Sequence, residues 1–245
     1  MNPLIVFWRV LRTLVHVFAG LLTLLLRFPA LGVPQRQECV RQWAEKLLAC
    51  IGVTLEVRGN FLPPGPLMIV ANHISWLDIP SLHAARFCRF VAKADLRHWP
   101  VIGMMADRAG TLFIERASRR DAMRVVHHMA DSLRAGDVLA VFPEGTTSDG
   151  TQVLPFHANL FQAAISTDAP VQPLLIQYLD AATGLPSSVP NYVGDEHFLS
   201  SFWRTLCSSG VVVCIHLGEP QPVDARDRRL MAAHLRAAVT ALQTG

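Results

Sequence analysis

From Gly52 onward, short apolar runs alternate with longer stretches of helical periodicity, and few folds accept that rhythm. Parallel strands need a crossover of a dozen residues or more, usually a helix, so the alternation reads as βα units around a largely parallel sheet. The expected strands are Val53–Arg58, Leu67–Ala71, Phe87–Ala92, Thr111–Ile114, Val138–Phe142, Val171–Gln177 and Val211–Leu217. Ser118–Arg134 reads as a helix, opened by Ser118 with Asp121 three residues on and closed at Gly136; Ala158–Ser166 and Asp224–Leu242 are further helices. Ala181–Gly194, rich in turn formers, reads as a long surface loop. The expected class is therefore α/β, a largely parallel central sheet flanked by helices over residues 52–245, and 245 residues suit one such domain plus a short appendage.

The appendage is residues 1–51. Leu4 to Phe28 is almost wholly apolar, and its exceptions, Arg9, Arg12, His16, Gly20, Thr23 and Arg27, fall on one narrow stripe at about 100° per residue. The apolar run after Arg12 falls short of the roughly 20 residues that span a bilayer, so the segment is expected to lie in one leaflet; a tilted span with snorkelling arginines and a buried core helix are the alternatives. Arg27-Phe28-Pro29 is no cleavage site for a signal peptidase, so the segment is expected to be retained. Its basic residues through Arg36, with no acidic residue before Glu38, suit the cytoplasmic face of an anionic membrane. A second helix, Gln35 to Ile51, puts Val40, Trp43, Ala44, Leu47, Leu48 and Ile51 on one side, and Pro29, Gly32 and Pro34 turn the two helices into a hairpin.

Composition bounds the partners. With 51% apolar and 17% charged residues the chain is too apolar to be disordered, and a net charge of +3 suits anionic lipid or a phosphorylated substrate and gives no support to nucleic-acid binding. The five cysteines include no CxxC pair, which points to neither a disulfide framework nor a zinc site, and suggests a reducing compartment.

The chemistry gathers where strands end, as in parallel-sheet proteins. Leu67–Ala71 runs into a turn bearing His73, with Asp78 five residues on. In a continuous helix those side chains stand about 140° apart; with His73 on the turn and Asp78 in the first helical turn beyond, they meet. An aspartate accepting from one ring nitrogen fixes the tautomer and frees the other nitrogen as a general base. The plainer reading of the same spacing is a structural histidine beside a helix-capping aspartate. No GxSxG elbow and no HExxH helix accompanies the pair, so neither a serine hydrolase nor a zinc site is indicated, and a base without an enzyme nucleophile suits direct transfer to a substrate hydroxyl. Gly110–Arg116 ends a strand with an arginine, followed by Arg119 and Arg120 at a helix start, where anions bind or arginines are simply solvated. Val138–Phe142 runs into the loop Pro143-Glu144-Gly145-Thr146, rich in backbone and hydroxyl donors, and Pro173 marks its strand as an edge, a bulge or a site lining.

Asn72-His73 with Asp78, Gly110–Arg116, Phe142-Pro143-Glu144-Gly145-Thr146 and Val171-Gln172-Pro173, in that order, resemble the four blocks of the glycerolipid acyltransferase family of 1-acylglycerol-3-phosphate acyltransferase type, over about Val53 to Leu217. The hairpin is similar to the two-helix membrane-docking motif of bacterial members. The resemblance implies acyl transfer from acyl-CoA or acyl-ACP to the free hydroxyl of a lysolipid at a membrane surface, without metal or cofactor. By that resemblance His73 is the base and Asp78 its orienting partner; Arg116 holds the anionic head group, Lys93 adds a phosphate contact, and Glu144, Gly145 and Thr146 shape the acceptor pocket. One or two loop N–H groups near the Phe142 to Thr146 turn are the expected oxyanion donors. One departure stands out. Many members carry arginine after this block, where the present chain has Thr147, Ser148, Asp149 and Gly150, a version that resembles the lyso-ornithine lipid acyltransferase branch. Lysophosphatidate remains the first expectation because Arg116 and Lys93 are kept. The alternatives are a lyso-ornithine lipid acceptor, a hydrolase using the same base on water, and a catalytically silent lipid-binding protein.

Overall fold

The computed structural model describes residues 2–61, 65–114, 119–223 and 227–243. Two helices come first, α1 (Pro3–Leu22) and α2 (Val33–Ile51), then β1 (Val53–Arg58), β2 (Leu67–Ala71), α3 (Asp78–Ala85), β3 (Arg89–Lys93), α4 (Ile102–Arg108) and β4 (Leu112–Ile114). The second half adds α5 (Arg119–Arg134), β5 (Val138–Val141), α6 (Gln162–Ile165), β6 (Val171–Asp180), α7 (Phe198–Leu206), β7 (Val211–Leu217) and α8 (Arg228–Ala241). The strands form one sheet in the order β1-β7-β6-β2-β5-β3-β4. The five from β6 to β4 are parallel, β7 is antiparallel to β6, and β1 is parallel to β7.

The unbroken apolar run of β2 explains its place. Leu67, Ile69 and Ala71 pack under α2, α3 and α7, while Met68 and Val70 face the opposite layer of α5, α6 and α8, so a strand buried on both sides needs apolar residues at every position. Val53–Arg58, Leu67–Ala71 and Val211–Leu217 form as the sequence predicts. Elsewhere the boundaries shift: β3 starts at Arg89, β4 at Leu112, β5 stops at Val141 because Phe142 already turns away, and β6 runs on to Asp180. The helices α4 and α7 were not expected from the sequence; Phe198, Phe202 and Leu206 of α7 do recur at helical spacing, in a stretch too short to stand out beside the loop before it. Ser118 and Asp224, expected helix starts, lie outside the described residues; α8 is capped by Asp227, which accepts from the N–H groups of Arg229 and Leu230.

Pro173 is not on an edge but at a bulge-like offset: Leu174 pairs with Leu217 and Val171 with Gln221, so that Gln172 and Pro173 face three residues, 218–220. β6 is central, and the proline sits where its ladder with β7 ends: the Gly218 N–H donates to the Pro173 carbonyl at 2.9 Å, and the missing return bond is replaced by Gln172 Nε2, which donates to the Gly218 carbonyl at 3.1 Å.

The helix begun by α1 continues through a wider turn, Thr23–Arg27, and a tight one, Phe28–Ala30. Part of its polar stripe, Arg9, His16 and Gly20, faces inward, while Arg12 and Arg27 are exposed. Arg9 Nη1 donates to the carbonyls of Leu206 and Ser208 at the end of α7, at 3.0 and 2.8 Å; buried Thr13 bonds the Arg9 carbonyl; the His16 ring stacks on Trp43; and Gly20 lies flat on that indole, where a Cβ would come within 2.3 Å of Trp43 Nε1. Phe7, Trp8, Leu14, Val15, Phe18 and Leu25 are consequently left exposed on the outer side. α2 closes the hairpin, with Arg36 donating to the carbonyls of Phe28 and Pro29; it buries Ala44, Leu47, Leu48 and Ile51 in the core and turns Glu38, Arg41 and Glu45, ion-paired at 2.7 and 3.2 Å, to the outside.

Candidate active site

The parallel strands β6, β2, β5, β3 and β4 all end at one rim of the sheet, and His73, Lys93 and the Phe142–Thr146 loop lie at or just past strand ends on that rim, whereas Val171-Gln172-Pro173 opens β6 at the opposite rim. At its centre β2 leaves the sheet. Asn72, buried, takes over the strand pairing: its Nδ2 donates to the Ile176 carbonyl at 3.0 Å and its Oδ1 accepts from the Ile176 N–H at 2.7 Å. This amide clamp lets the chain turn while β6 continues past it, and the turn presents His73.

Asp78 opens α3 and is wholly buried. Its Oδ2 accepts from His73 Nδ1 at 2.7 Å and from the N–H groups of Ile74 and Ser75 at 2.7 and 3.0 Å, and its Oδ1 accepts from the Tyr178 hydroxyl. Four donors thus converge on one carboxylate, which also lies at a helix N-terminus, the environment that suits a buried negative charge. With Nδ1 donating to Asp78, the lone pair of His73 is on Nε2, which has no hydrogen-bond partner among the described residues; the side chain is 20% exposed. The ring is held flat against Phe142, 4.1 Å between centroids and 11° between planes, and Phe142 stacks in turn on Phe90 of β3. The tight spacing of His73 and Asp78 therefore produces a charge-oriented imidazole rather than two independent structural residues.

The loop after β5 grips the same histidine from the other side. Glu144 Oε1 accepts from the His73 N–H at 3.3 Å, and Ser148 donates to the His73 carbonyl through its N–H at 2.8 Å and its hydroxyl at 3.2 Å. Burial pushes the Glu144 carboxyl up to about 7, and the His73 N–H acts against that rise. Gly145, at φ +73°, closes a turn in which its N–H donates to the Phe142 carbonyl, so that N–H is already spent and is not an available oxyanion donor. Thr146 is exposed beside it.

Lys93 is exposed at the end of β3, paired in register with Ile114 at the end of β4, so its strand end is adjacent to the point where the chain leads on to Arg116. Arg116 itself lies outside the described residues, and of Arg119 and Arg120 the structure describes the backbone alone. Among the described residues no group of three or more His, Cys, Asp and Glu side chains is placed to hold a metal ion.

Several residues of the site carry no local signal in the sequence. Tyr178 is 100 residues from Asp78, and reaches it because β6 overshoots the end of β2. The segment expected as a plain surface loop is a strap. Ser75 and Ser201 hydroxyls both donate to the Pro190 carbonyl, the Tyr192 N–H donates to the Ile74 carbonyl, and Asn191 Nδ2 donates to the Asp149 carbonyl. Trp76, between His73 and Asp78, donates to Ser201 of α7 at 3.1 Å and packs on Phe198 and Phe202.

Comparison with known proteins places this arrangement. A family model described as Acyltransferase matches residues 54–177, which take in His73, Asp78, Lys93 and Glu144 to Thr146. The lyso-ornithine lipid O-acyltransferase of Pseudomonas aeruginosa is 38% identical over 214 residues, covering 87% of this chain and 81% of that protein. The 1-acyl-sn-glycerol-3-phosphate acyltransferase of Neisseria meningitidis is 38% identical over 176 residues, covering 71% of this chain and 68% of that protein. In fold, the chain is similar to the crystal structure of the 1-acyl-sn-glycerophosphate acyltransferase of Thermotoga maritima, with a TM-score of 0.70 at 20% identity over 99% of this chain and 95% of that one. With a family model covering half its length and relatives matched along most of theirs, the chain belongs to the Acyltransferase family.

Proposed function

We propose that this acyltransferase moves a fatty acyl group from a thioester donor, acyl-CoA or acyl-ACP, to the free hydroxyl of a lysolipid. The reading is carried by one observation, the 2.7 Å bond from His73 Nδ1 to Asp78 Oδ2 that leaves Nε2 as an available base. Nε2 takes the acceptor's hydroxyl proton as the oxygen attacks the thioester carbonyl. The tetrahedral intermediate then expels the thiolate as the C–S bond breaks, and His73 returns the proton to sulfur. Asp78 stabilises the imidazolium formed between those steps. Phe142 and Glu144 keep ring and backbone in place, and Gly145 and Thr146 border the acceptor pocket.

For the acceptor, lysophosphatidate is favoured by Lys93 at the end of β3 beside the strand that leads to Arg116, two cations for one phosphate head. A lyso-ornithine lipid is the second reading, favoured by the exposed Asp149 carboxylate, which stands near the site in place of a cation, and by the relative from Pseudomonas aeruginosa. Purified protein given labelled acyl-CoA with each acceptor side by side is expected to put the label into phosphatidate faster than into the ornithine lipid. A reversed preference replaces the first acceptor by the second. Label appearing only as free fatty acid makes the chain a hydrolase, and no turnover of any kind leaves a silent lipid-binding protein.

We further propose that residues 1–51 dock the enzyme, with residues 52–245 as the acyltransferase domain, on the cytoplasmic face of a membrane. Supporting this, α1 shows its apolar side to the outside, and the surface continues to Trp203 of α7, which lines a groove with Pro3, Val6, Phe7 and Val10. By length and composition the helix from Pro3 to Ala30 is able to cross a membrane. Its inward stripe is fastened to α2 and α7, however, and α2 carries ion pairs on its outer side, so a lengthwise position in one leaflet satisfies both faces. Leu14→Glu and Phe18→Glu, each on the outer face, are expected to weaken sedimentation with anionic vesicles at least about tenfold, by placing a charge in hydrocarbon. Unchanged sedimentation of both puts the anchor elsewhere.

A further inference from the structure

We propose that Tyr178 is a positioning residue for the transfer, the third member of a His73–Asp78–Tyr178 relay, holding the Asp78 carboxylate so that its other oxygen serves His73. The inference rests on the reading of His73 as the base. A carboxylate with no solvent contact has only protein donors to fix its plane, and for Oδ1 of Asp78 the donor is the Tyr178 hydroxyl. The division of labour is clean: Oδ2 takes His73 and the two backbone N–H groups, Oδ1 takes Tyr178. Burial, and after it the charge of Asp78, raise the phenol well above its ordinary value, so Tyr178 keeps its proton and donates throughout the cycle. Being on β6, Tyr178 is set by the sheet, and the Asn72–Ile176 clamp two residues before it ties that strand to the turn bearing His73. The titratable groups around the pair are Tyr178 from β6 and Glu144 from the loop after β5.

The hydroxyl has an electrostatic consequence besides orientation. Its hydrogen bond draws charge from Asp78, which tempers the proton affinity of the imidazole on the opposite oxygen. In Tyr178→Phe the ring and its packing stay while the donor goes. The expected result is a kcat lower by about 10- to 100-fold with KM within about twofold, the size of effect that loss of an orienting partner has elsewhere. With that donor gone, the relay has the acid limb of the pH–rate profile move to higher pH.

Because the chain has two tyrosines, Tyr178 and Tyr192, the converse change is accessible. With Tyr192 replaced by phenylalanine, growth on 3-fluorotyrosine labels position 178 alone and makes it a stronger donor of nearly unchanged size. Measured against the same background with ordinary tyrosine, the acid limb is expected to move to lower pH. Opposite movements of the limb in the two proteins are the signature of the relay. A lower melting temperature in Tyr178→Phe with kcat and the limb unmoved makes Tyr178 structural only and overturns the proposal. If His73→Ala itself remains active, the fault lies in the reading of the base; if His73→Ala is inactive and Tyr178→Phe is normal, it lies with Tyr178 alone.

Discussion

His73→Ala is expected to lower kcat by at least about 100-fold and by up to roughly 10,000-fold, the range a positioned general base contributes. No second group among the described residues stands ready to take its place, because Asp78 is sealed and Glu144 is turned to the His73 backbone. The loss is expected in kcat with KM little changed, since the ring acts on a proton in flight and not on the lipid's bulk. Stability is expected to suffer moderately: the side chain is partly exposed, but it gives up one face of stacking on Phe142, about 0.5 to 1.5 kcal/mol, and one of the four donors to buried Asp78, about 1.5 to 3 kcal/mol. Thermal melting followed alongside single-turnover acyl transfer separates the two effects. Near-normal turnover in a folded protein removes His73 from the mechanism.

Asp78→Asn is the sharper probe, because the surroundings of Oδ2 decide which way the amide sits. The N–H groups of Ile74 and Ser75 both point at that position, so the asparagine oxygen is forced into it and the amide nitrogen toward Tyr178, whose hydroxyl turns to accept. The His73 tautomer is thereby preserved and only the charge opposite the imidazolium is lost. A fall in kcat of about 100- to 1,000-fold is expected, the scale of removing one preorganised electrostatic partner. The sign on pH is set by the same charge: with it gone the imidazole holds a proton less well, and the acid limb moves to lower pH, opposite to Tyr178→Phe. A limb moved to higher pH, or a loss under tenfold, refutes this account of Asp78.

Much of this architecture is legible in the sequence, and where it is not, the reason is physical. β2 is read to the residue because burial on both faces leaves no polar position to blur its ends, and the His73–Asp78 pair is read because five residues of turn and helix start suffice to bring the two together. β5 is misread by one residue since Phe142 is as apolar as the strand before it, yet its ring is spent on His73. Pro173 suggests an edge by the rule that prolines break ladders; the rule is obeyed, at the end of one ladder within a central strand. Tyr178, Ser148 and the Pro190 strap were invisible because their partners lie tens to a hundred residues away, and such contacts leave no local pattern. The polar residues of α1 are legible as a stripe, but that Arg9, His16 and Gly20 face protein while Arg12 and Arg27 stay exposed follows only from Trp43 and the end of α7.

The fastening of α1 by Arg9 has a consequence for how the protein is made. Arg9 is made first, and the carbonyls it binds, those of Leu206 and Ser208, follow 197 and 199 residues later, an interval of roughly 10 to 40 s at ordinary rates of synthesis. For that time the apolar outer face of α1 exists without the body that orients it. On the proposed docking, a bilayer is available to such a nascent helix before its own domain is. If α1 docks as proposed, the order of events in the cell is lipid contact first and sheet assembly second, with the enzyme folding onto a helix already at the membrane surface.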